Sequence, residues 1–335
     1  MNFLCSGQQL DSALMAYYEG VNRAEMHIVD GMYANAAQAY DRAFYFRDFP
    51  FGIDVYNRGV CAVILRDYGR ATEMFEILVT YGYPLDSLKT TATFSEYFLS
   101  SAGKKLIENA PMIKYKYNRK LRNTYDSLRV ADQEFRIREG SYAVYNDTIA
   151  KIDESNARFA KQLILENGFP SEELVGFYYG FRSTPIRILI LHNNIGSNNG
   201  NSHDFSEILI TAVREGSLDA RVAGELISGN TGVDTFGYWG AGLQRHGMDT
   251  GKSAYPDSSD LSPWGYYEPD PVKEREINDN RKRWGLCPLM EERLKVYHHL
   301  NDGRFYLSGG FNNKILLWSN EKDFRNAIKR TITIE

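Results

Sequence analysis

A period of 35 residues near the start of the chain limits what it can fold into more than any other feature. Residues 31–45 read GMYANAAQAYDRAFY and residues 55–84 read VYNRGVCAVILRDYGRATEMFEILVTYGYP. Laid over each other, Tyr33 falls on Tyr68, Ala36 on Ala71 and Tyr40 on Phe75, each 35 residues further on. A fixed period in the thirties is the mark of stacked helical hairpins. One such hairpin cannot bury its apolar face alone, so neighbours stack and a concave surface results.

The second copy resembles a tetratricopeptide repeat. Gly59 stands where the two helices of such a repeat pack closest. Asp67-Tyr68 makes the turn, Ala71 is the small residue that lets the second helix approach the first, and Pro84 ends the unit. The first copy keeps the second-helix half best. Its first helix, roughly Asp11–Glu25, offers only Gly20 and Ala24 as small contact residues. A third hairpin is expected over Leu85–Asn109, with Phe94, Tyr97, Phe98 and Leu106 at helical spacing.

At 335 residues, the chain is about twice a typical domain of roughly 150. The expected division is a repeat domain over 1–110 and a second helical domain over 111–335. Hydrophobic residues make up 43% and charged residues 24%, which excludes a mainly disordered chain. The net charge of −4 provides no global field for nucleic acid. The three cysteines, Cys5, Cys61 and Cys287, are too scattered for a zinc motif or a disulfide framework. Met1–Gln9 lacks Lys, Arg and a long apolar run, unlike a signal peptide. The longest apolar runs, Val60–Leu65 and Ile188–Leu191, fall far short of the ~20 residues a membrane span needs. A cytoplasmic protein is the expectation.

Residues 114–122, KYKYNRKLR, carry five positive charges, with no acid until Asp126. Basic residues interleaved with Tyr115 and Tyr117 can bind single-stranded nucleic acid. The acidic balance of the whole chain favours a solvated face beside the domain joint instead.

Over roughly residues 120–295, beginning near Leu128, the chain resembles a bacterial domain-of-unknown-function family. The matching pieces are Asp132-Gln133-x-x-Arg136, Asp153-x-x-Asn156, Gly168-Phe169-Pro170, Leu174-Val175-Gly176, His192, Ala212-Val213-x-x-Gly216 and Arg281-x-x-x-Gly285-Leu286-Cys287-Pro288-Leu289. The family usually has an acid shortly after the histidine, where this chain has Asn193 and Asn194. It also has an Asp-Arg pair and a Tyr-Gly-Thr-Gln run that are not reproduced here; Phe236–Gly240 and Gln244 are the nearest counterparts. The family has no established activity, so the resemblance implies a module and not a reaction.

The residues themselves point to a polar centre. Asp147–Glu166 reads as a helix with the stripe Ile149, Ile152, Phe159 and Leu163, ended by Gly168 and Pro170. Asn156 falls within that stripe, and a buried amide must find partners. Asp132 and Arg136 share a helix face at i, i+4 spacing. Pro185 opens a helix apolar nearly all round, and His192 stands at its end, either as a base or ligand or as a satisfied core residue. Further on, Asp204–Glu215 reads as a helix with Asp204 and Glu207 as its capping box. Residues 229–271, with eight glycines and seven aromatics, read as an ordered loop over a cleft. Gln244, Arg245 and His246 are that loop's densest polar group. A β-hairpin is expected from Phe305–Ser308 and Lys314–Ser319, then a short helix and a strand over Thr331–Glu335.

The expected class is therefore mainly α: tetratricopeptide-like hairpins, then an α-helical domain with a small β-hairpin. The sequence contains no GxSxG elbow, HExxH, Walker loop or dinucleotide fingerprint, and no cofactor or metal is expected. The expected function is a binding one, with an enzyme as the alternative. The first is an adaptor that holds a protein or peptide on the repeat surface. The second is a hydrolase or transferase whose site draws on Asp132, Arg136, Asn156, His192, Gln244 and His246.

Overall fold

The computed structural model describes residues 10–181, 184–196, 203–237, 243–248, 261–267, 270–307, 314–318 and 320–334. The chain is mainly α-helical with a small sheet. Two antiparallel hairpins open it: α1 (Ser12–Val29) with α2 (Tyr33–Phe44), and α3 (Gly52–Ile64) with α4 (Tyr68–Thr80). Asp11 caps α1 by accepting from the Ala13 and Leu14 amides, and Asp67 caps α4 by accepting from Arg70. Small residues set the close contacts. A methyl group on Gly59 would lie 2.9 Å from the Phe75 ring, and one on Gly20 would lie 2.8 Å from Ala43. Ala36, Tyr40, Ala71 and Phe75, the residues that carry the 35-residue offset, are all buried.

The expected third hairpin is not a pair of helices. Residues 85–109 fold as four short pieces: α5 (Leu85–Thr90), a 3-10 turn over Ala92–Phe94, α6 (Ser95–Leu99) and α7 (Ser101–Asn109). The β-branched Thr90, Thr91 and Thr93 disfavour a continuous helix. Ser100 adopts an extended conformation that ends α6 and caps α7 through Gly103. Phe94, Tyr97 and Leu106 still reach the core, as their spacing suggested.

The C-terminal half is built on α8 (Arg119–Glu134), α9 (Ser141–Asn167), the single turn α10 (Glu172–Val175), α11 (Pro185–Gly196), α12 (Ser206–Arg214) and α13 (Ala220–Thr231). Helix α11 packs against α8, α9 and α13, with Ile186, Leu189 and Ile190 buried. Helix α9 is longer than expected and turned by about one position. Phe159 is 41% exposed, and the buried face runs through Asp153, Asn156, Ala157, Ala160 and Leu163. The alanines let α11 come close, and this carries two polar side chains inward. Helix α12 starts two residues later than the capping-box reading, with Asp204 accepting from the Ser206 amide.

Two strands were not expected within 229–271: β1 (Gln244–Met248) and β2 (Gly265–Tyr267). Helices α14 (Pro271–Arg283) and α15 (Leu289–Asn301) follow, then β3 (Lys314–Trp318), α16 (Glu321–Lys329) and β4 (Thr331–Thr333). The sheet order is β3-β1-β2-β4. Strand β3 pairs in parallel with β1, and residues 305–307 form no strand, so the small β element is not the local hairpin expected there. The Gly309-Gly310 turn, Phe236's neighbours 238–240 and much of the glycine-rich segment lie outside the described residues.

One continuous core runs from Leu10 to Ile334 across both halves. The inner helices of the hairpins are covered by the chain itself. Every residue of α3 from Gly52 to Val63 is buried. Asp54 accepts two hydrogen bonds from Arg221, and Asn57 exchanges two with the Tyr306 backbone. On α1, Glu25 accepts from Arg221 at 3.0 Å and from Lys295 at 2.6 Å. Burial pushes the Glu25 carboxyl up to about 7, while Lys295 and Arg221 pull the other way. Where a stack of hairpins would offer its groove, this protein seats its own C-terminal half.

Candidate functional site

Three separate segments deliver side chains to one point between α8, α9 and α11. His192 Nδ1 lies 2.9 Å from Asp132 Oδ1 and 2.8 Å from Oδ2. Gln133 Nε2 donates to Asp132 Oδ2 at 2.6 Å. Arg136, one turn on from Asp132, donates to the Asp132 backbone carbonyl at 2.6 Å and pairs with its Oδ1 at 3.2 Å. The same guanidinium reaches across to α9 and meets both oxygens of Asp153 at 2.7 Å, while its Nε donates to Tyr142 Oη at 3.0 Å.

The electrostatics follow from this geometry. Burial opposes the charge on Arg136, but Asp153 and Asp132 outweigh it and raise its pKa. Burial likewise pushes the Asp153 carboxyl above its usual range, against the pull of Arg136. Asp132 is the innermost member, with its side chain 1% exposed, whereas the His192 side chain is 19% exposed. The centre is thus graded from a dry carboxylate to a partly open imidazole. A carboxylate only accepts hydrogen bonds, so the proton between the two belongs to Nδ1. That leaves the ring's lone pair on Nε2.

One nitrogen of His192 and one oxygen each of Asp132 and Asp153 lie within 4.8 Å of one another, a donor set able to hold a divalent ion. Here the countercharge is already supplied by the guanidinium of Arg136, which both carboxylates use. We therefore read the donor set as an ion-pair network.

Of the residues singled out from the sequence, Asp132, Arg136 and His192 come together. Asn156 is buried on the same helix as Asp153, but its amide donates to the Leu128 carbonyl at 3.4 Å and so ties α9 to α8. Gln244 and His246 belong to the sheet, not to this centre. His246 is buried, its Nε2 lies 3.0 Å from Thr331 Oγ1, and burial lowers its pKa. Those two residues are held by strand pairing. Asn193 and Asn194, which stand where the family resemblance leads one to expect an acid, serve the backbone. Asn193 exchanges two hydrogen bonds with His203, and Asn194 donates to Leu226. The acid for His192 comes instead from Asp132. Asp153 was visible in the sequence only as the partner of Asn156 at i−3, and Tyr142 carried no signal at all.

The remaining pieces of the family-like pattern have backbone or packing roles. Gly168 and Gly176 both adopt positive φ, and a methyl group on Gly176 would run into the Tyr81 carbonyl. Arg281 is buried and donates to the Cys287 and Phe236 carbonyls.

No family model, curated protein or solved structure matches the chain.

Proposed function

We propose that the α8–α9–α11 centre is the acid–base site of an enzyme of the hydrolase or transferase class, with His192 as general base. The His192–Asp132 pair carries this reading. A buried carboxylate that fixes the ring tautomer and orientation, beside a ring that is itself partly exposed, suits an imidazole for proton abstraction. Arg136 is a positioning residue, because its nitrogens are committed to Asp132, Asp153 and Tyr142. The pieces Asp132-Gln133-x-x-Arg136, Asp153 and His192 lie far apart in sequence yet share one centre, which adds support.

The adaptor reading has less support. A peptide would need the inner faces of α1 and α3, and those faces are occupied by Arg221, Lys295 and Tyr306. In this view the hairpins act as a scaffold for the catalytic half.

The test is turnover of chromogenic carboxyl esters, phosphate esters and glycosides by the wild type, His192→Gln and Asp132→Asn. Loss of a general base typically costs about 10²–10⁴-fold in rate. The expected result is turnover of one substrate class, a loss of that size in both variants, and a nearly unchanged melting temperature for His192→Gln. Equal turnover by His192→Gln would overturn the proposal, as would a lowered melting temperature as its only effect.

A further inference from the structure

The segment that joins the two halves is an exposed ridge of positive charge. Lys114, Lys116, Arg119 and Lys120 are all exposed, and no acid lies between Glu108 and Asp126. The ridge is pinned on both sides, by Lys116 N donating to the Thr80 carbonyl and Asn118 N donating to the Leu174 carbonyl. Asn118 also caps α8. Arg122, the fifth cation, is not part of the ridge, because it turns inward to the Val175 and Phe177 carbonyls. Among the outward lysines stand two exposed apolar side chains, Met112 at 71% and Tyr115 at 50%.

We propose that this ridge docks the protein on an anionic lipid bilayer. Lysines are strongly hydrated point charges that respond to the negative potential of a headgroup layer without demanding a fixed partner geometry. Met112 and Tyr115 supply what charge alone lacks: an exposed aliphatic and an exposed aromatic group in the same segment, able to enter the interface. The ridge stands out within a chain of net charge −4, so its attraction is local and orients the molecule. Single-stranded nucleic acid fits less well, because it needs free ring faces for stacking. Here the Arg119 guanidinium lies over Tyr115 at 5.5 Å, and that of Arg122 over Tyr117 at 5.1 Å. The association is peripheral: among the described residues, no helix is long and apolar enough to cross a membrane.

The test is co-sedimentation of the full chain with phosphatidylcholine vesicles, with and without phosphatidylserine. Binding is expected only with phosphatidylserine, and added salt should release it. With each cation worth about fivefold in partitioning, Lys114→Ala/Lys116→Ala/Lys120→Ala should weaken binding on the order of a hundredfold. Met112→Ser keeps the charge and should weaken it about tenfold. These side chains are exposed, so the variants should match the wild type in circular dichroism. Absence of binding to phosphatidylserine vesicles, equal binding by the lysine variant, or tighter capture of single-stranded oligonucleotide or acidic polypeptide than of vesicles would each overturn the proposal.

Discussion

His192 and Asp132, 60 residues apart in the chain, meet with the imidazole Nδ1 within 2.9 Å of both carboxylate oxygens. The carboxylate is itself held by Gln133 and Arg136, so three neighbours fix its position. Such a supported pair orients the ring, whatever the ring then does. The partial exposure of His192 separates the pair from the ion network around Arg221, where Glu25, Asp54, Asp219 and Lys295 are all buried.

That network makes the first prediction. Arg221 contacts Glu25, Asp54 and Asp219, all of them buried. Removing one partner from a buried charge set leaves the others uncompensated and typically costs about 3–5 kcal/mol. Arg221→Leu should lose that much in urea unfolding, although leucine is apolar and the site is dry. A change below about 0.5 kcal/mol, the range of ordinary surface substitutions, would mean that the network contributes little to holding the halves together.

Glu172 supplies a pH prediction. Its Oε2 accepts from the Gly52 amide at 2.7 Å, and burial raises its carboxyl to about 8. An unfolded glutamate titrates near ~4.3, so over the interval between these values the folded chain holds a proton that the unfolded chain has released. This group's contribution to stability is complete below the lower value and is lost as pH rises to the upper one. Glu172→Gln keeps the acceptor and cannot ionise. It should melt with the wild type at about pH 5 and a few degrees higher at about pH 9. Parallel melting curves at both pH values would remove the assignment.

The repeat geometry is tested at Ala71. The residue is fully buried at the contact between α3 and α4, beside the Gly59–Phe75 approach. Ala71→Leu overpacks this contact and should cost about 1–3 kcal/mol. An unchanged melting temperature would show that the close helix approach is not required there.

The hairpins were legible because their signal is local: a small residue, a turn and an apolar face recur at a fixed offset. Asp132 and Arg136 were legible from i, i+4 spacing, and His192 from its place after an apolar run, although α11 continues past it to Gly196 and does not end there. The acid partner of His192 was not legible, because nothing in a one-dimensional pattern pairs positions 132 and 192. The same holds for Glu25, whose partners Arg221 and Lys295 lie 196 and 270 residues away. The only trace of that network was a charged residue in an apolar helix, as with Asp54 between Ile53 and Val55. Strand β1 was missed because Gln-Arg-His-Gly-Met has neither alternation nor β-branched residues, and its parallel partner β3 comes from the far end of the chain. Phe159 fits an apolar stripe by spacing, while the close packing of α9 on α11 selects Ala157 and Ala160 for the inner face.

The account rests on Asp132 acting as an ionised carboxylate that fixes the His192 ring. The ring ¹⁵N resonances of His192, assigned by comparison with His192→Gln, test this directly. The predicted result is a hydrogen on Nδ1 and a bare, pyridine-type Nε2, with the preference abolished in Asp132→Asn. A neutral ring that carries its hydrogen on Nε2, with Nδ1 bare against Asp132, would contradict the assignment of His192 as the base.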